Sequence, residues 1–332
     1  MSGAVHRPFV PELETRRHLV EGRAAYGDIP PDLEARWKAP AGPAEEWDLD
    51  VTDRAVPGPH GPVPVRVYTP RTPAPPGGRP GLVWLHGGAF LFGDLDMAEA
   101  DATARGVAGR GGVVVVSVDY RLCTLPPEFG GEPGDGTAGA AGIRFPVPHD
   151  DCLAAFAAVR DGAAGLGIDP ARLAIGGASA GGCLAAGVTL RLAEEGRAPW
   201  QAFLVYPVLH GVLPEPSAEL ADAVAATPPA LLFPPGMRDV IDRAYLGNGT
   251  PTRYAYAGLA EDLSGFPPTY LENDEFDVLR ASGEEFARQL RAAGVEVEER
   301  LCAGVPHGHL DVVGLPAARA TMQALADRLI GR

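Results

Sequence analysis

Ser179 stands between Gly177 and Gly181 in the run Leu173-Ala-Ile-Gly-Gly-Ala-Ser-Ala-Gly-Gly-Cys-Leu-Ala-Ala. A serine with glycine two places to either side suits a strained strand-to-helix turn that presents its hydroxyl as a nucleophile. Gly176, Ala178, Ala180 and Gly182 keep the whole neighbourhood small. The Ala/Leu-rich helix that follows would aim its N-terminal amides at a site where negative charge develops. On its own a Gly/Ser connection between strand and helix is common; the strand before it and the helix after it favour the chemical reading.

A serine hydroxyl needs a base to take its proton, and the base needs an acid to hold its tautomer. In chains of this kind the order is serine, acid, histidine. Three histidines follow Ser179: His210, His307 and His309. His210 precedes every plausible acid. Gly304-Val-Pro-His-Gly-His-Leu follows the last strand-like run, so His307 is the preferred base and His309 the fallback. The acid belongs after Thr269-Tyr-Leu, where Asp274, Glu275 and Asp277 are all available. Asp277 is expected to open the following helix, and spacing alone does not choose among the three. An oxyanion requires preorganised amides at another strand end. His86-Gly87-Gly88-Ala89-Phe90 follows the apolar run Leu82-Val-Trp-Leu and supplies them, with the amide of Ala180 as second donor.

These groups must be held by a sheet. Continuous apolar runs at Leu82–Leu85, Val113–Val118, Leu173–Ile175, Ala202–Tyr206, Thr269–Leu271 and Val295–Leu301 read as strands, most of them parallel and buried on both faces. Helical patterns lie between most of them, at Met97–Gly109, Asp150–Ala164, Ala180–Glu195, Arg280–Ala293 and Ala317–Ile330. Trp47–Val51 and Val63–Tyr68, joined by Pro57-Gly-Pro-His-Gly-Pro, read as an antiparallel hairpin at a sheet edge. Strand and helix in alternation predict a doubly wound, mostly parallel α/β sheet. Pro11–Ala25 and Pro31–Lys38 carry helical patterns without strand character, and Val208–Leu263 carries helices and Pro-rich turns but no clear strand. An insertion there falls on the edge where such sheets bind ligands. The expected division is a core of 46–207 and 263–332, with 1–45 and 208–262 forming a helical cap. Thr124–Arg144, rich in Gly and Pro, is expected to be a mobile surface loop.

Composition sets the outer limits. The 332 residues can bury one large core, and 46% hydrophobic with 21% charged residues is ordinary for a soluble globular protein. A formal charge of −15 argues against nucleic acid or an anionic membrane surface as partner. No run approaches the about 18 apolar residues that span a bilayer. The N-terminus lacks a signal-peptide core, and Cys123, Cys152, Cys183 and Cys302 are scattered without a C-x-x-C pair. Free thiols and a cytoplasmic location are expected.

Taken together, the motifs resemble the hormone-sensitive lipase family of α/β-hydrolases, in its bacterial esterase branch. The resemblance spans the chain from about Val63 and rests on His86-Gly-Gly-Ala-Phe, Asp119-Tyr-Arg-Leu, Phe145-Pro-Val-Pro-His-Asp-Asp, Gly167-Ile-Asp-Pro-Ala-Arg-Leu-Ala-Ile-Gly-Gly-Ala-Ser-Ala-Gly-Gly, Tyr206-Pro, Glu275-Phe-Asp-Val-Leu-Arg and His307-Gly. It implies an eight-stranded, mostly parallel sheet flanked by helices, with a cap built from the N-terminal helices and the insertion after the sixth strand. It further implies Ser179 as nucleophile, Asp277 as acid, His307 as base, and Gly88, Ala89 and Ala180 as oxyanion amides, with His86 bracing their loop. The chain departs from the family at Ala89, where a third glycine is usual, and at Ala178, where Asp is common. A Gly-rich loop replaces Ala-Pro-Glu after Asp-Tyr-Arg-Leu, and His309 replaces an aromatic residue.

The expected function is a serine carboxylesterase acting on small to medium-chain acyl esters, with no metal or organic cofactor. The alternatives are a deacylase or amidase of a specialised metabolite, and a non-catalytic binder on the same fold. An open sheet edge and the C-terminal helix offer surfaces for a homodimer.

Overall fold

A computed structural model describes residues 7–125, 142–233 and 235–331. Eight strands form one sheet: β1 (Leu49–Val56), β2 (Val63–Pro70), β3 (Arg79–Leu85), β4 (Val114–Val118), β5 (Ile168–Ala178), β6 (Ala202–Val205), β7 (Thr269–Phe276) and β8 (Val297–Pro306). Their order across the sheet is β1-β2-β4-β3-β5-β6-β7-β8. β2 pairs antiparallel with both β1 and β4, and every other pairing is parallel. The hairpin predicted at the edge is present, with Val56 opposite Val63.

Alternation of side chains along each strand divides the core into two layers. On one face Val83, Leu85, Val116, Ile175 and Leu204 pack with Phe156 of α4 (Val147–Asp161), Leu184 and Val188 of α5 (Ala180–Glu194), and Phe286 and Leu290 of α8 (Arg280–Ala292). On the other, Leu82, Trp84, Val115 and Phe203 meet Val107 of α3 (Ala98–Gly111) and Leu325 of α9 (Pro316–Leu329). Each fully buried aliphatic side chain contributes about 1.5–3 kcal/mol, so the central strands are the rigid base of whatever stands at their carboxyl ends.

Several elements differ from expectation: β1 and β8 each run five residues past their predicted ends, β5 spans Ile168–Ala178, and two further differences bear on the cap and the site. The helical pattern over Pro11–Ala25 forms only one α-helical turn, α1 (Pro11–Glu14), and a 3-10 turn at Arg17–Leu19. Tertiary bonds outweigh the local pattern here: Arg16 donates to the carbonyls of Trp37 and Pro40, and Arg17 donates to the carbonyl of Ala226 at 2.6 Å. β7 runs on to Phe276, five residues past the predicted end, because Glu272, Asn273 and Asp274 keep pairing with β8 as far as Cys302. Asp277 consequently lies in the connection after β7, and α8 starts three residues later.

The stretch 208–262 carries α6 (Ala218–Ala225), α7 (Pro235–Leu246) and 3-10 turns, with no strand among its described residues. Phe9, Leu13, Val20, Ile29 and Trp37 share a buried cluster with Ala223 and Ala230 of this stretch and with Phe276 and Val305 at the ends of β7 and β8. Most of the Gly/Pro-rich stretch 124–144, namely 126–141, lies outside the described residues.

Candidate active site

Ser179 occupies the sharp turn between β5 and α5 at φ 54°, ψ −117°, a conformation that side-chain-bearing residues adopt only under constraint. Its amide donates to Val205 O at 2.9 Å, which pins the turn to β6. The two motif glycines are demanded by space. A Cβ on Gly177 would lie 2.5 Å from Gly181, and one on Gly181 would fall on the carbonyl oxygens of Leu85 and His86. The fifteen-residue helix α5 begins at Ala180, so its positive end faces the hydroxyl.

Ser179 Oγ lies 2.9 Å from His307 Nε2, and His307 Nδ1 lies 2.6 Å from Asp277 Oδ2. With Nδ1–H donating to the carboxylate, Nε2 is left to accept the serine proton. Asp277 Oδ1 accepts from Leu279 N–H at 2.9 Å, which orients the carboxylate from its far side. Asp277 is 1% exposed, while the His307 side chain keeps 12% and Ser179 keeps 7%. The serine end of the chain is open and the acid end is dry. Burial pulls the His307 imidazolium down, but the Asp277 carboxylate, joined by Asp274 and Glu99, outweighs it and holds the pKa at about 9.

Of the three acids left open by the sequence, the structure brings only Asp277 to His307. Glu275 accepts from Gly304 N–H at 2.7 Å and pairs with Arg7, so it ties the β8 end to the N-terminal segment. Asp274 points to the other histidine: its Oδ1 is 2.7 Å from His309 Nδ1, and its Oδ2 accepts from Gly308 N–H at 3.1 Å. His309 is buried and lies away from the serine. His210 is held by Ser282 Oγ at 2.9 Å.

The β3–α3 loop carries the other half of the site. Gly88 has φ 106°, Ala89 54° and Phe90 63°. At Gly88 a Cβ would collide with the carbonyl of Phe92, whose own amide donates back to Gly88 O. The amides of Gly88, Ala89 and Ala180 have no acceptor among the described residues. His86 stacks on Tyr120 at 4.4 Å, its Nδ1 lies 2.8 Å from Gly87 O, and Tyr120 O–H donates to His86 O at 2.6 Å. These contacts brace the loop from behind.

Several residues here carry no signal in the sequence. Glu99, buried at the start of α3, accepts from the Gly87 amide and from Tyr206 O–H. Burial, followed by the charge of Asp311, pushes its pKa up to about 7. Tyr206 sets its ring edge-on to His307 at 5.0 Å, and Phe233 does the same at 4.9 Å. Only the dipeptide Tyr206-Pro was visible as a motif. A narrow pocket of about 30 Å³ is lined by Ala89, Ser179, Ala180, Arg238, Asp242 and Tyr256.

Glu272, Cys302 and His309 hold their potential ligand atoms within 4.8 Å of one another. Those donors are already committed: Glu272 accepts from Thr321 and Tyr270, and both His309 nitrogens are bonded. Among the described residues, no helix is long and apolar enough to cross a membrane.

Comparison with known proteins bears on the family and the class of reaction. A family model described as alpha/beta hydrolase fold matches residues 139–311, and a carboxylesterase family model matches 64–198. The chain is 36% identical to the carboxylesterase NlhH of Mycobacterium tuberculosis, over 80% of this chain and 77% of that one. It is 30% identical to an ethyl acetate hydrolase of Pseudomonas putida, over 90% of each. The thermophilic carboxylesterase EstE1, cloned from a metagenomic library, superposes with a TM-score of 0.72 at 30% identity, covering 87% of this chain and 91% of that one. A Ser–His–Asp chain at the edge of such a sheet, in a protein with these relatives, places the sequence in the hormone-sensitive lipase family of α/β-hydrolases, as a carboxylic ester hydrolase.

Proposed function

We propose that the chain hydrolyses small to medium-chain acyl esters through an acyl-enzyme formed on Ser179. The hydrogen-bonded series Ser179–His307–Asp277, opening onto a pocket lined by Ala89 and Ala180, carries this reading. Ser179 Oγ attacks the acyl carbon as its proton passes to His307 Nε2, and Asp277 stabilises the imidazolium. The amides of Gly88, Ala89 and Ala180 receive the oxyanion; losing one such donor typically costs about 3 kcal/mol of transition-state stabilisation. The tetrahedral intermediate expels the alcohol, which takes the proton from His307. Water, deprotonated by the same imidazole, then releases the acid and restores Ser179.

The N-terminal residues 1–45 and the insertion 208–262 form one cap over a core of 46–207 and 263–332. Their shared apolar cluster and the Arg17–Ala226 bond support that division. The narrowness of the pocket, and a relative named for ethyl acetate, favour the short end of the acyl range. Four free cysteines, three of them buried, support a reducing, cytoplasmic setting.

Hydrolysis of p-nitrophenyl esters from acetate to laurate, wild type beside Ser179→Ala, tests the proposal. Turnover should be greatest from acetate to butyrate, fall toward laurate and vanish in the variant. A folded wild type inactive on every ester, or a Ser179→Ala variant that keeps its activity, would overturn it.

A further inference from the structure

Behind the Ser179–His307–Asp277 series lies a second histidine–aspartate contact that ester hydrolysis does not call on. Asp274 projects from β7 and His309 from the turn after β8, and both side chains are wholly buried. The hydrogen-bond partners around them fix where the protons are. Arg300 donates to Tyr270 O–H at 3.3 Å, so the Tyr270 proton goes to Glu272 Oε2. Thr321, on α9, has a single hydroxyl proton and faces two acceptors, Glu272 Oε1 and the carbonyl of Ala317. With Glu272 ionised and taking that proton, the third partner, His309 Nε2 at 2.8 Å, donates to Thr321. A neutral imidazole with hydrogen on Nε2 has only an acceptor at Nδ1, and that atom lies 2.7 Å from Asp274 Oδ1. The proton in this contact then belongs to the carboxyl group.

We propose that Asp274 is kept as the neutral acid, its Oδ1–H donated to a neutral His309, and that the pair is a positioning device for His307. Asp274 Oδ2 accepts from the Gly308 amide, so it anchors the residue next to His307 without setting a second anion beside it. This role rests on the reading of His307 as the base.

Burial is what most favours this state over an imidazolium–carboxylate pair, and it outweighs Glu272 and Asp311, which pull His309 toward its charged form. Asp277 and Glu272 flank Asp274 along its own strand and the connection after it. Asp311 and His307 face His309 from their loop, and Glu99 of α3 bears on His307 from the other layer. Cys302 of β8 and Tyr206 complete the enclosure. Burial drives Asp274 well above the carboxylate range, with Asp277 adding to it, and drives His309 down to about 4. The consequence falls on His307. An anion at Asp274 would join Asp277 and Glu99 in raising His307, and so keep it protonated up to a higher pH. Neutralising Asp274 removes one of the three anions that hold it there, and leaves Asp277 to do the orienting.

Asparagine matches the heavy atoms of a protonated aspartate: its NH₂ can donate to His309 Nδ1 and its oxygen can accept from Gly308. Asp274→Ala should lower kcat/KM by roughly tenfold through a loosened His307, and Asp274→Asn should restore it to within about threefold. The acid limb of the pH profile should stay in place in Asp274→Asn. It should also stay in place in His309→Ala, because burial and Asp277 keep Asp274 neutral without its acceptor. A downward move of about one unit in Asp274→Asn alone would show an ionised Asp274 and overturn the proposal.

A separate readout needs neither a variant nor activity: ¹⁵N spectra of histidine-labelled wild type at pH 7. His309 should appear with a bare Nδ1 and a protonated Nε2, and an imidazolium pattern would overturn the assignment. A protein inactive on esters but showing the neutral tautomer would defeat the esterase reading and leave the proton assignment standing.

Discussion

At the scale of single residues, the two carboxylates Asp274 and Asp277 show how position along three residues separates roles. Both are buried acids next to a histidine, and spacing could not rank them. Asp277 accepts from Leu279 N–H on one oxygen and faces His307 Nδ1 with the other, so it is held as an acceptor from both sides. Asp277→Asn turns a donor toward Nδ1 and forces the tautomer that cannot take the serine proton. Turnover should fall by about 10⁴-fold with KM little changed, read by steady-state kinetics on p-nitrophenyl butyrate. Asp274→Asn should fall by no more than a few-fold. If the two variants exchange these effects, Asp274 is the acid partner and the proposed assignment is wrong.

At the scale of elements, what was legible in the sequence was whatever depends on local periodicity. The apolar runs of β3 to β7 stand out because both faces of each strand are buried, and Gly177 and Gly181 stand out because no side chain fits there. The break in the Pro11–Ala25 helix was not legible, since it is set by Arg16 and Arg17 bonding to Trp37, Pro40 and Ala226. Nor was the network of Glu272, Asp274, His309 and Thr321, which is gathered from β7, the turn after β8, and α9. The β3–α3 loop allows a test of what its unusual backbone is for. Gly88→Ala must push its methyl into the carbonyl of Phe92, and should lose about 100-fold or more in kcat as the amide leaves its place. Ala89→Gly keeps the amide and removes a left-handed penalty of about 1–2 kcal/mol, offset by about 0.5–1 kcal/mol of added chain entropy. Thermal unfolding should therefore shift little. Because Ala89 lines the pocket, the hexanoate-to-acetate ratio of kcat/KM should rise in Ala89→Gly; an unchanged ratio would mean that the methyl does not limit the acyl chain.

At the scale of the whole molecule, the buried titratable groups tie stability to pH in a way that distinguishes the two states of the Asp274–His309 pair. In the unfolded chain the carboxyl titrates near 3.9 and the imidazole near 6.5. In the fold His309 is depressed to about 4, so its contribution is present above pH 6.5 and is lost as the pH falls toward 4. Asp274 is raised, so its contribution is present below pH 3.9 and is lost as the pH rises toward its folded value. Between about pH 4 and 6.5 these opposite slopes cancel, and above 6.5 the loss from Asp274 stands alone. In Asp274→Asn only the His309 slope remains. Wild type should thus lose unfolding free energy relative to this variant as the pH rises from about 4.5 to 7.5, since the folded wild type holds a proton that its unfolded chain releases. Urea titrations of both proteins at intervals over that range measure the difference directly. A difference that stays flat with pH would mean that Asp274 is charged in the fold as it is in the unfolded chain, and that His307 works beside three anions instead of two.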